Sequence, residues 1–224
     1  MHPDVNAYVS DAFYEGRLET APKTATQSLA EGAPLGGVGI RYVPIQHAGA
    51  GKRSHDEADW IAGAIESLIG RPWTDDDGHT RSMEVRDVLI VAPYNAQVGE
   101  IRATVERRLG TSPNVGTVDR FQGREAPVAI YSMTSSSLDD APRDFGFLYS
   151  GNRLNVAISR AQGLAVLVCE PALLRVACHS PEQMRLVNAL CRLVEMARES
   201  GVATPPAPSR FARPFDGQST LGLV

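Results

Sequence analysis

Short apolar runs alternate with amphipathic stretches along most of the chain. Three continuous apolar runs, at residues 88–92, 127–133 and 164–170, are typical of strands that are buried on both faces of a sheet. Residues 38–46 alternate between polar and apolar side chains well enough to predict a fourth strand. These four segments are the predicted strands of the domain.

The stretches before, between and after these strands carry apolar residues at helical spacing. One of them has Ser54 at the N-cap position and Glu57 three residues later, which together form a start signal for a helix. Because parallel strands need crossover connections, the alternation predicts an α/β fold with a mainly parallel central sheet and helices on both faces, in three layers. The predicted helices cover residues 2–15, 54–69, 95–109, 153–161 and 181–199.

The remaining segments are polar or rich in glycine and proline, and they predict loops. Residues 20–37 and 71–84, the second of which contains DDDG, lack a strand or helix pattern. From residue 201 onward the chain has too little periodic apolar surface to fold independently, so this tail is expected to be disordered or bound to a partner. The predicted organisation is one domain over residues 1–200 and a tail over 201–224.

Charge and residue content narrow the candidate functions. The formal net charge of −4 provides no broad basic surface, so a nucleic-acid contact would depend on a few placed groups. Among the 22 basic residues only Lys23 and Lys52 are lysines. The three cysteines lack metal-ligand spacing and are expected to be free thiols. The five histidines show no Ser-His-Asp or metal-ligand pattern, and no metal site is predicted.

The sequence has no feature that predicts export or membrane insertion. Its N-terminus lacks the basic and apolar segments of a secretory signal. No stretch approaches the roughly 18 apolar residues that a membrane span needs. The expected location is therefore the cytoplasm, without a membrane partner.

Two segments are similar in sequence to nucleotide-binding motifs but lack the residues or the structural context that those motifs need. GAGKRS at residues 49–54 ends like a P-loop, yet GxxxxGK[ST] requires glycine and then serine or threonine where this chain has Gln46 and Arg53. We interpret it as a flexible linker. The letters DEAD at 56–59 open an amphipathic helix instead of ending an apolar strand, so the helix macrodipole explains these acidic residues better than Mg²⁺ binding does.

Three polar segments lie where buried strands are expected to end, which is where open α/β sheets bind ligands. They are APYNAQ at 92–97, TVDRFQGRE at 117–125 and NRLNVAISRA at 152–161. In this order and at these separations they resemble motifs IV, V and VI of superfamily 1 helicases, most closely the branch that includes the nonsense-mediated decay helicase and the Dna2 nuclease-helicase. The opening MHP and the later FYEG resemble the same branch just after its third motif. The resemblance covers about residues 1–195 and implies a RecA-like, P-loop NTPase-like domain.

The resemblance implies ATP with Mg²⁺ as the cofactor. Helicases of this type hydrolyse ATP between two RecA-like domains, and the second domain supplies charge to the transferred γ-phosphoryl group. Arg160 matches the arginine finger, and Glu125 matches the glutamate that contacts the ribose. Gln122 and Gly123 belong to the same ATP-binding segment, where Gly123 is expected to allow a close backbone approach.

The resemblance also implies a single strand of DNA or RNA as a partner. The family holds the backbone of the strand with the loops of motifs IV and V. Pro93 and Tyr94 match the first loop, and Thr117 and Val118 match the second. Arg153 is expected to add charge nearby.

The matched motifs belong to the second of the two motor domains of this family. The first domain carries the P-loop and the Mg²⁺ ligands, and in the family a Tyr-Arg pair directly precedes the MHP with which this sequence begins. We therefore expect a C-terminal motor domain that is inactive alone and needs a first RecA-like domain, either in cis in a longer gene product or in trans. The alternative is a non-enzymatic module that binds nucleic acid or protein and has kept the fold without the motor.

Overall fold

A five-stranded parallel sheet forms the centre of the fold in the computed structural model, which describes residues 1–121, 123–141 and 145–199. In chain order, the strands of the described residues are β1 (Ser28–Leu29), β2 (Gly39–Pro44), β3 (Pro72–Thr74), β4 (Thr80–Ser82), β5 (Val88–Val91), β6 (Asn114–Gly116), β7 (Ala126–Ser132) and β8 (Ala161–Cys169). The order across the central sheet is β2-β8-β7-β5-β6. The four predicted strands are β2, β5, β7 and β8, so each of them is confirmed.

The five predicted helices are confirmed, and a short additional helix precedes the fourth. In chain order, the helices are α1 (Pro3–Tyr14), α2 (His55–Leu68), α3 (Asn95–Leu109), α4 (Phe145–Leu148), α5 (Gly151–Ile158) and α6 (Pro181–Glu199). The amide of Glu57 donates to Ser54 Oγ at 3.2 Å, so Ser54 is the N-cap of α2 as predicted. Within the described part of the chain, no helix combines the length and apolar character needed to cross a bilayer.

Each face of the central sheet buries its own apolar core, because alternate side chains of a strand point to opposite faces. In β7, Ala129 and Tyr131 pack in the core that includes α1, α5 and α6. Val128 and Ile130 pack in the core that includes α2 and α3. Helices therefore cover both faces of a parallel sheet, which confirms the predicted three-layer α/β fold of RecA-like type.

Two segments that the sequence predicts as loops contain a second, antiparallel sheet. β3 and β4 lie within residues 71–84 and pair with each other, while β1, from residues 20–37, pairs with β3. The loop prediction is wrong at these strands because two or three residues are too few to show an alternating pattern, and backbone pairing alone defines them. The three-residue strand β6 at the edge of the central sheet is missed for the same reason.

Trp73 joins the small sheet to the rest of the domain. Its side chain is 1% exposed and belongs to the same core as α2 and α3. The indole packs on β8 at Gly163, where an added Cβ would lie 2.5 Å from the Trp73 ring. The close approach of the indole therefore requires glycine at residue 163.

The cysteines are free thiols, as predicted. Cys169 is buried at the end of β8, and Cys178 and Cys191 are half-buried. Burial raises the pKa of the Cys169 thiol well above its ordinary value. Cys169 therefore remains a neutral thiol and behaves as a small apolar side chain of the core.

We expect Gly163→Ala to lower the free energy of unfolding by about 1–3 kcal/mol, because the new methyl group must displace the Trp73 ring from a packed core. The matched control is Gly99→Ala on the exposed face of α3, where an added Cβ meets nothing within 4 Å. This control should raise stability by up to about 1 kcal/mol through helix propensity. Chemical denaturation of both variants measures the difference, and equal effects would contradict the role assigned to Trp73.

Candidate nucleotide and nucleic-acid sites

A groove opens at the carboxyl edge of the parallel sheet, beside the ends of β5 and β6. Its volume is about 420 Å³. Four segments that are distant in the sequence contribute to its walls, since the carboxyl ends of parallel strands and the loops that follow them meet at one edge. The lining residues are Lys52, Pro93, Tyr94, Asn95, Ala96, Thr117, Asp119, Phe147 and Arg153.

A stack of side chains holds Arg153 at this groove. The rings of Tyr94 and Phe147 are stacked with their centroids 5.5 Å apart. The guanidinium carbon of Arg153 lies 4.2 Å from the centroid of the Phe147 ring. Such a cation–π contact contributes about 0.5–1 kcal/mol at a partly exposed site and restricts the orientation of the arginine. Phe147 is a site residue that the sequence did not reveal, because its signal, an aromatic residue in the short helix α4, is not specific.

The structure brings four of the five predicted nucleic-acid residues to the groove. Pro93 and Tyr94 follow β5, Thr117 follows β6, and Arg153 lies in the first turn of α5. Val118 does not line the groove. Its side chain is 8% exposed and packs in the core that includes α1, α5 and α6, so any contact that it makes to a ligand would come from its backbone.

Glu125 and Arg160 lie together at the opposite, amino edge of the sheet. Glu125 directly precedes β7 and Arg160 directly precedes β8, and these strands are parallel neighbours. The amide of Ala126 donates to the carbonyl of Arg160 at 3.0 Å, which joins the two segments. The expectation that all three polar segments lie where strands end is therefore wrong for these two residues, since each precedes a strand.

Arg160 is half-buried and is held by groups of its own chain. Its Nε donates to the carbonyl of Val156 at 3.1 Å, and its two terminal nitrogens donate to the carbonyl of Arg124 at 3.3 Å and to Ser159 Oγ at 3.0 Å. A guanidinium has more N–H donors than these three bonds use, so donors remain for an anion. Arg160 lies two residues beyond the end of α5, in the turn before β8, and not within the helix that the sequence predicts.

The segment before β7 has the backbone shape of a turn. Gly123 has a φ of +78°, and an added Cβ there would meet no protein atom within 4 Å. The left-handed backbone conformation is therefore the reason that glycine is needed at this position. No neighbouring atom of the described structure would clash with an added Cβ there. The side chain of Glu125 is exposed. Gln122 lies outside the described residues.

A buried carboxylate lies next to the groove, at the same edge of the sheet. Glu57 is 0% exposed. Its side chain accepts hydrogen bonds from Ser132 Oγ and, at 3.0 Å, from the amide of Thr134, and it contacts His47 Nε2 at 3.1 Å. A buried charge needs such partners to be tolerated. The macrodipole explanation of the acidic start of α2 is therefore incomplete, because Glu57 points into the protein.

Glu57 also holds an unusual turn after β7. Thr134 is fully buried and has a φ of +74°, a conformation that is rare for a β-branched residue. Such a conformation persists only where the surrounding contacts fix it. The hydrogen bond from the Thr134 amide to Glu57 is one of these contacts.

His47 connects Glu57 to Ser136, which makes a Ser-His-Glu chain that the sequence did not reveal. The Nδ1 atom of His47 lies 2.7 Å from Ser136 Oγ, although the two residues are 89 positions apart. Ser136 is only 5% exposed, and its hydroxyl oxygen accepts a hydrogen bond from the amide of Ala50 at 2.8 Å. This Ser-His-Glu set is therefore structural, because a substrate cannot reach its buried serine. Among the described residues, no three His, Cys, Asp or Glu side chains form a metal-binding group.

The interpretation of residues 49–54 as a flexible linker is wrong. The amide of Ser136 donates to the carbonyl of Ala50 at 2.8 Å, and the amide of Ser54 donates to Gln97 Oε1 at 2.7 Å. Gln97 is fully buried in α3 and also donates to Ser132 Oγ at 3.1 Å. Distant buried residues thus supply the backbone and side-chain partners that keep this loop in place.

Comparison with known proteins relates the chain to helicases. Residues 1–172 match the family described as AAA domain. The chain is 28% identical over 179 residues to the DNA polymerase alpha-associated DNA helicase A of Schizosaccharomyces pombe, which covers 71% of this chain and 25% of that protein. It is 29% identical over 188 residues to the probable helicase MAGATAMA 3 of Arabidopsis thaliana, covering 78% of this chain and 22% of that protein.

A third relative is named for nucleic-acid binding. The DNA-binding protein SMUBP-2 of Mesocricetus auratus is 27% identical over 184 residues, which is 76% of this chain and 17% of that protein. The chain therefore spans no more than 25% of the length of these three relatives.

We expect Glu57→Ala to lower the free energy of unfolding by about 3–5 kcal/mol, because it removes one partner of a buried, hydrogen-bonded pair. The control is Glu66→Ala in the same helix, since the exposed Glu66 pairs only with Arg108 in the described structure. Breaking that surface pair should cost about 1 kcal/mol or less. Thermal and chemical denaturation measure both values. Similar losses of unfolding free energy in the two variants would show that the buried contacts of Glu57 do not stabilise the domain more than a surface ion pair does.

The stability of the domain should depend on pH through His47. Burial opposes protonation of this imidazole, but the hydrogen bond to Glu57 and the charges of Glu57, Glu170 and Asp56 outweigh it and hold the pKa of His47 above its ordinary value of 6.5. A raised pKa in the folded state gives a contribution that is complete below the unfolded pKa and is lost as pH rises through the folded pKa.

The unfolding free energy of the wild type, relative to that of His47→Asn, should therefore decrease as pH rises from about 6 toward 9. Denaturation of both proteins across this range is the measurement. If the difference in unfolding free energy between the two proteins stayed constant or increased with pH, the raised pKa of His47 would be contradicted.

Proposed function

The chain belongs to the AAA domain family, and we propose that it is the C-terminal motor domain of an ATP-dependent helicase acting on single-stranded DNA or RNA. In this proposal it supplies the arginine finger and a groove for the strand. A first RecA-like domain, in cis or in trans, supplies the P-loop and the Mg²⁺ ligands.

The observation that carries the proposal is the convergence of separate segments on one groove. Three distant parts of the sequence line the same cavity, and they contribute Pro93 with Tyr94, Thr117, and Arg153. Its walls combine a clamped arginine with hydroxyl and amide groups, which contact phosphate and sugar oxygens, and with one carboxylate. The stacking of Phe147 with Tyr94 occupies aromatic surface within the protein. The groove therefore suits the backbone of a strand better than its bases.

The amino edge of the sheet supports the ATP part of the proposal. Arg160 is half-buried beside the exposed Glu125, and the glycine turn at Gly123 precedes them. When bound at a domain interface, ATP with Mg²⁺ supplies the phosphoryl group to be transferred. Arg160 would neutralise charge that develops on that group. Glu125 would accept hydrogen bonds from the ribose hydroxyls, and both residues would act only once a first domain faces this edge.

Helix α5 connects the two proposed sites. Arg153 lies in its first turn and Arg160 just beyond its last residue. The eight residues of α5 span about 12 Å, so the two arginines lie near opposite ends of one short, rigid helix. If binding of a nucleic-acid strand shifted α5, the segment that carries Arg160, the proposed arginine finger, would move with it.

Mixing the chain with a first RecA-like domain from a helicase relative tests the proposal. We expect ATP hydrolysis that is stimulated by single-stranded oligonucleotide and requires both proteins. Arg160→Ala should reduce the turnover number about 1,000-fold or more, in the range measured for arginine fingers. The matched control is Arg86→Ala, an arginine whose side chain is 76% exposed and pairs with Glu84, and it should leave turnover unchanged.

The same experiment separates the proposal from a non-enzymatic role. Oligonucleotide binding without any hydrolysis in the mixture would favour a binding module that has kept the fold but not the motor. Hydrolysis by the chain alone would contradict the assignment of the P-loop to a separate domain. Turnover that is equal in wild type and Arg160→Ala would remove Arg160 from the catalytic machinery.

A further inference from the structure

Lys52 is a cation of the groove to which no role has been assigned. It lines the groove together with Arg153, and its side chain is exposed. Its neighbours Arg53 and His55 both pair with Glu100 of α3. Lys52 has no carboxylate partner among the residues that the structure describes. Its charge therefore remains available at the groove, which also contains the carboxylate of Asp119.

The backbone on both sides of Lys52 is held by hydrogen bonds. The hydroxyl of Ser135 donates to the carbonyl of Gly51 at 2.8 Å, and the amide of Ser54 donates to Gln97 Oε1 at 2.7 Å. A mobile surface lysine loses much side-chain and backbone entropy on binding an anion, and anchoring the backbone removes part of that cost.

These anchors lead back to the buried carboxylate. Ser135 directly follows Thr134, whose amide is bonded to Glu57. Gln97 shares Ser132 Oγ with Glu57, since it donates to the same hydroxyl that donates to the carboxylate. The network at the end of β7 thus fixes the loop of Lys52 from both sides, which gives the buried Glu57 a role in shaping the groove.

We propose that Lys52 binds a phosphate of the single strand in this groove, in addition to the sugar-phosphate contacts proposed for the motif segments. The inference rests on the proposed nucleic-acid function and adds to it a contact from a segment that matches none of the three motifs. With a net charge of −4, the chain attracts a polyanion only through cations placed locally. An ammonium group on a flexible stem suits this task, because it follows a phosphate without needing a fixed angle.

The salt dependence of binding tests the contact. With the full chain and a fluorescent oligothymidylate, Lys52→Ala should reduce the magnitude of the slope of log K against log salt by about 0.7, the value for one phosphate contact on a single strand. The same slope corresponds to about fivefold weaker binding at 0.1 M salt. Lys52→Arg should retain most of the affinity, and the thermal midpoint of both variants should match that of the wild type.

Lys23 is a matched control, because it is the other lysine of the chain. It lies in a 3-10 helix before β1 and pairs with Asp76 and Asp77, and it does not line the groove. Lys23→Ala should bind the oligonucleotide like the wild type. In a lysine acetylation experiment read by mass spectrometry, the oligonucleotide should protect Lys52 and leave the rate at Lys23 unchanged. An oligouridylate of equal length shows whether DNA and RNA share the contact.

The outcomes distinguish this inference from the proposed function. If the wild type binds and Arg153→Ala weakens binding, but Lys52→Ala changes neither affinity nor slope and Lys52 is not protected, the inference is wrong and the groove still stands. If the wild type binds no oligonucleotide even at low salt, the nucleic-acid function and the inference are both wrong. Equal protection of Lys23 and Lys52 would mean non-specific coating of the surface, which also contradicts the inference.

Discussion

The buried carboxylate of Glu57 is the interaction on which the carboxyl edge of this domain depends. A carboxylate without exposure to water is stable only if hydrogen bonds and an opposite charge replace its hydration. Two segments supply these partners: the loop after β2 through His47, and the end of β7 with the turn that follows it through Ser132 and Thr134. These segments are therefore tied to one another, and the loop that brings Lys52 to the groove is bonded to the same network.

The two candidate sites use opposite edges of one sheet, and this separation has a physical basis. Loops after parallel strands gather at the carboxyl edge, where the groove lies, while the segments that lead into β7 and β8 gather at the amino edge. A domain with one sheet can thus face a nucleic-acid strand on one side and a partner domain on another. Helix α5 is the element with a candidate residue at each end, Arg153 and Arg160.

The groove places individual cations at defined positions on a chain that is acidic overall. A chain that is acidic overall cannot attract a polyanion with its whole field, so the position of each cation matters. Arg153 is held by the ring of Phe147, and Lys52 extends from a loop that is bonded on both sides. Both arrangements reduce the entropy that the side chain or its backbone would lose on binding.

The sequence by itself determined the layered fold and the identity of most candidate residues. Strands such as β5 and β7 and helices such as α2 follow from periodicity within one segment, because burial on one or both faces leaves a local pattern. The motif segments likewise carry their resemblance in adjacent letters. These features were readable because each depends on residues close together in the chain.

Only the tertiary structure decided which distant residues meet. Nothing local marks Glu57 as buried, since an acidic residue in a first helical turn is ordinary, and its partner Ser132 lies 75 positions away. The same holds for His47 with Ser136, for Phe147 with Tyr94, and for the placement of Lys52 at the groove. Hydrogen bonds and stacking between remote segments depend on how the strands are ordered in the sheet, and that order is a property of the folded chain which no single stretch of sequence displays.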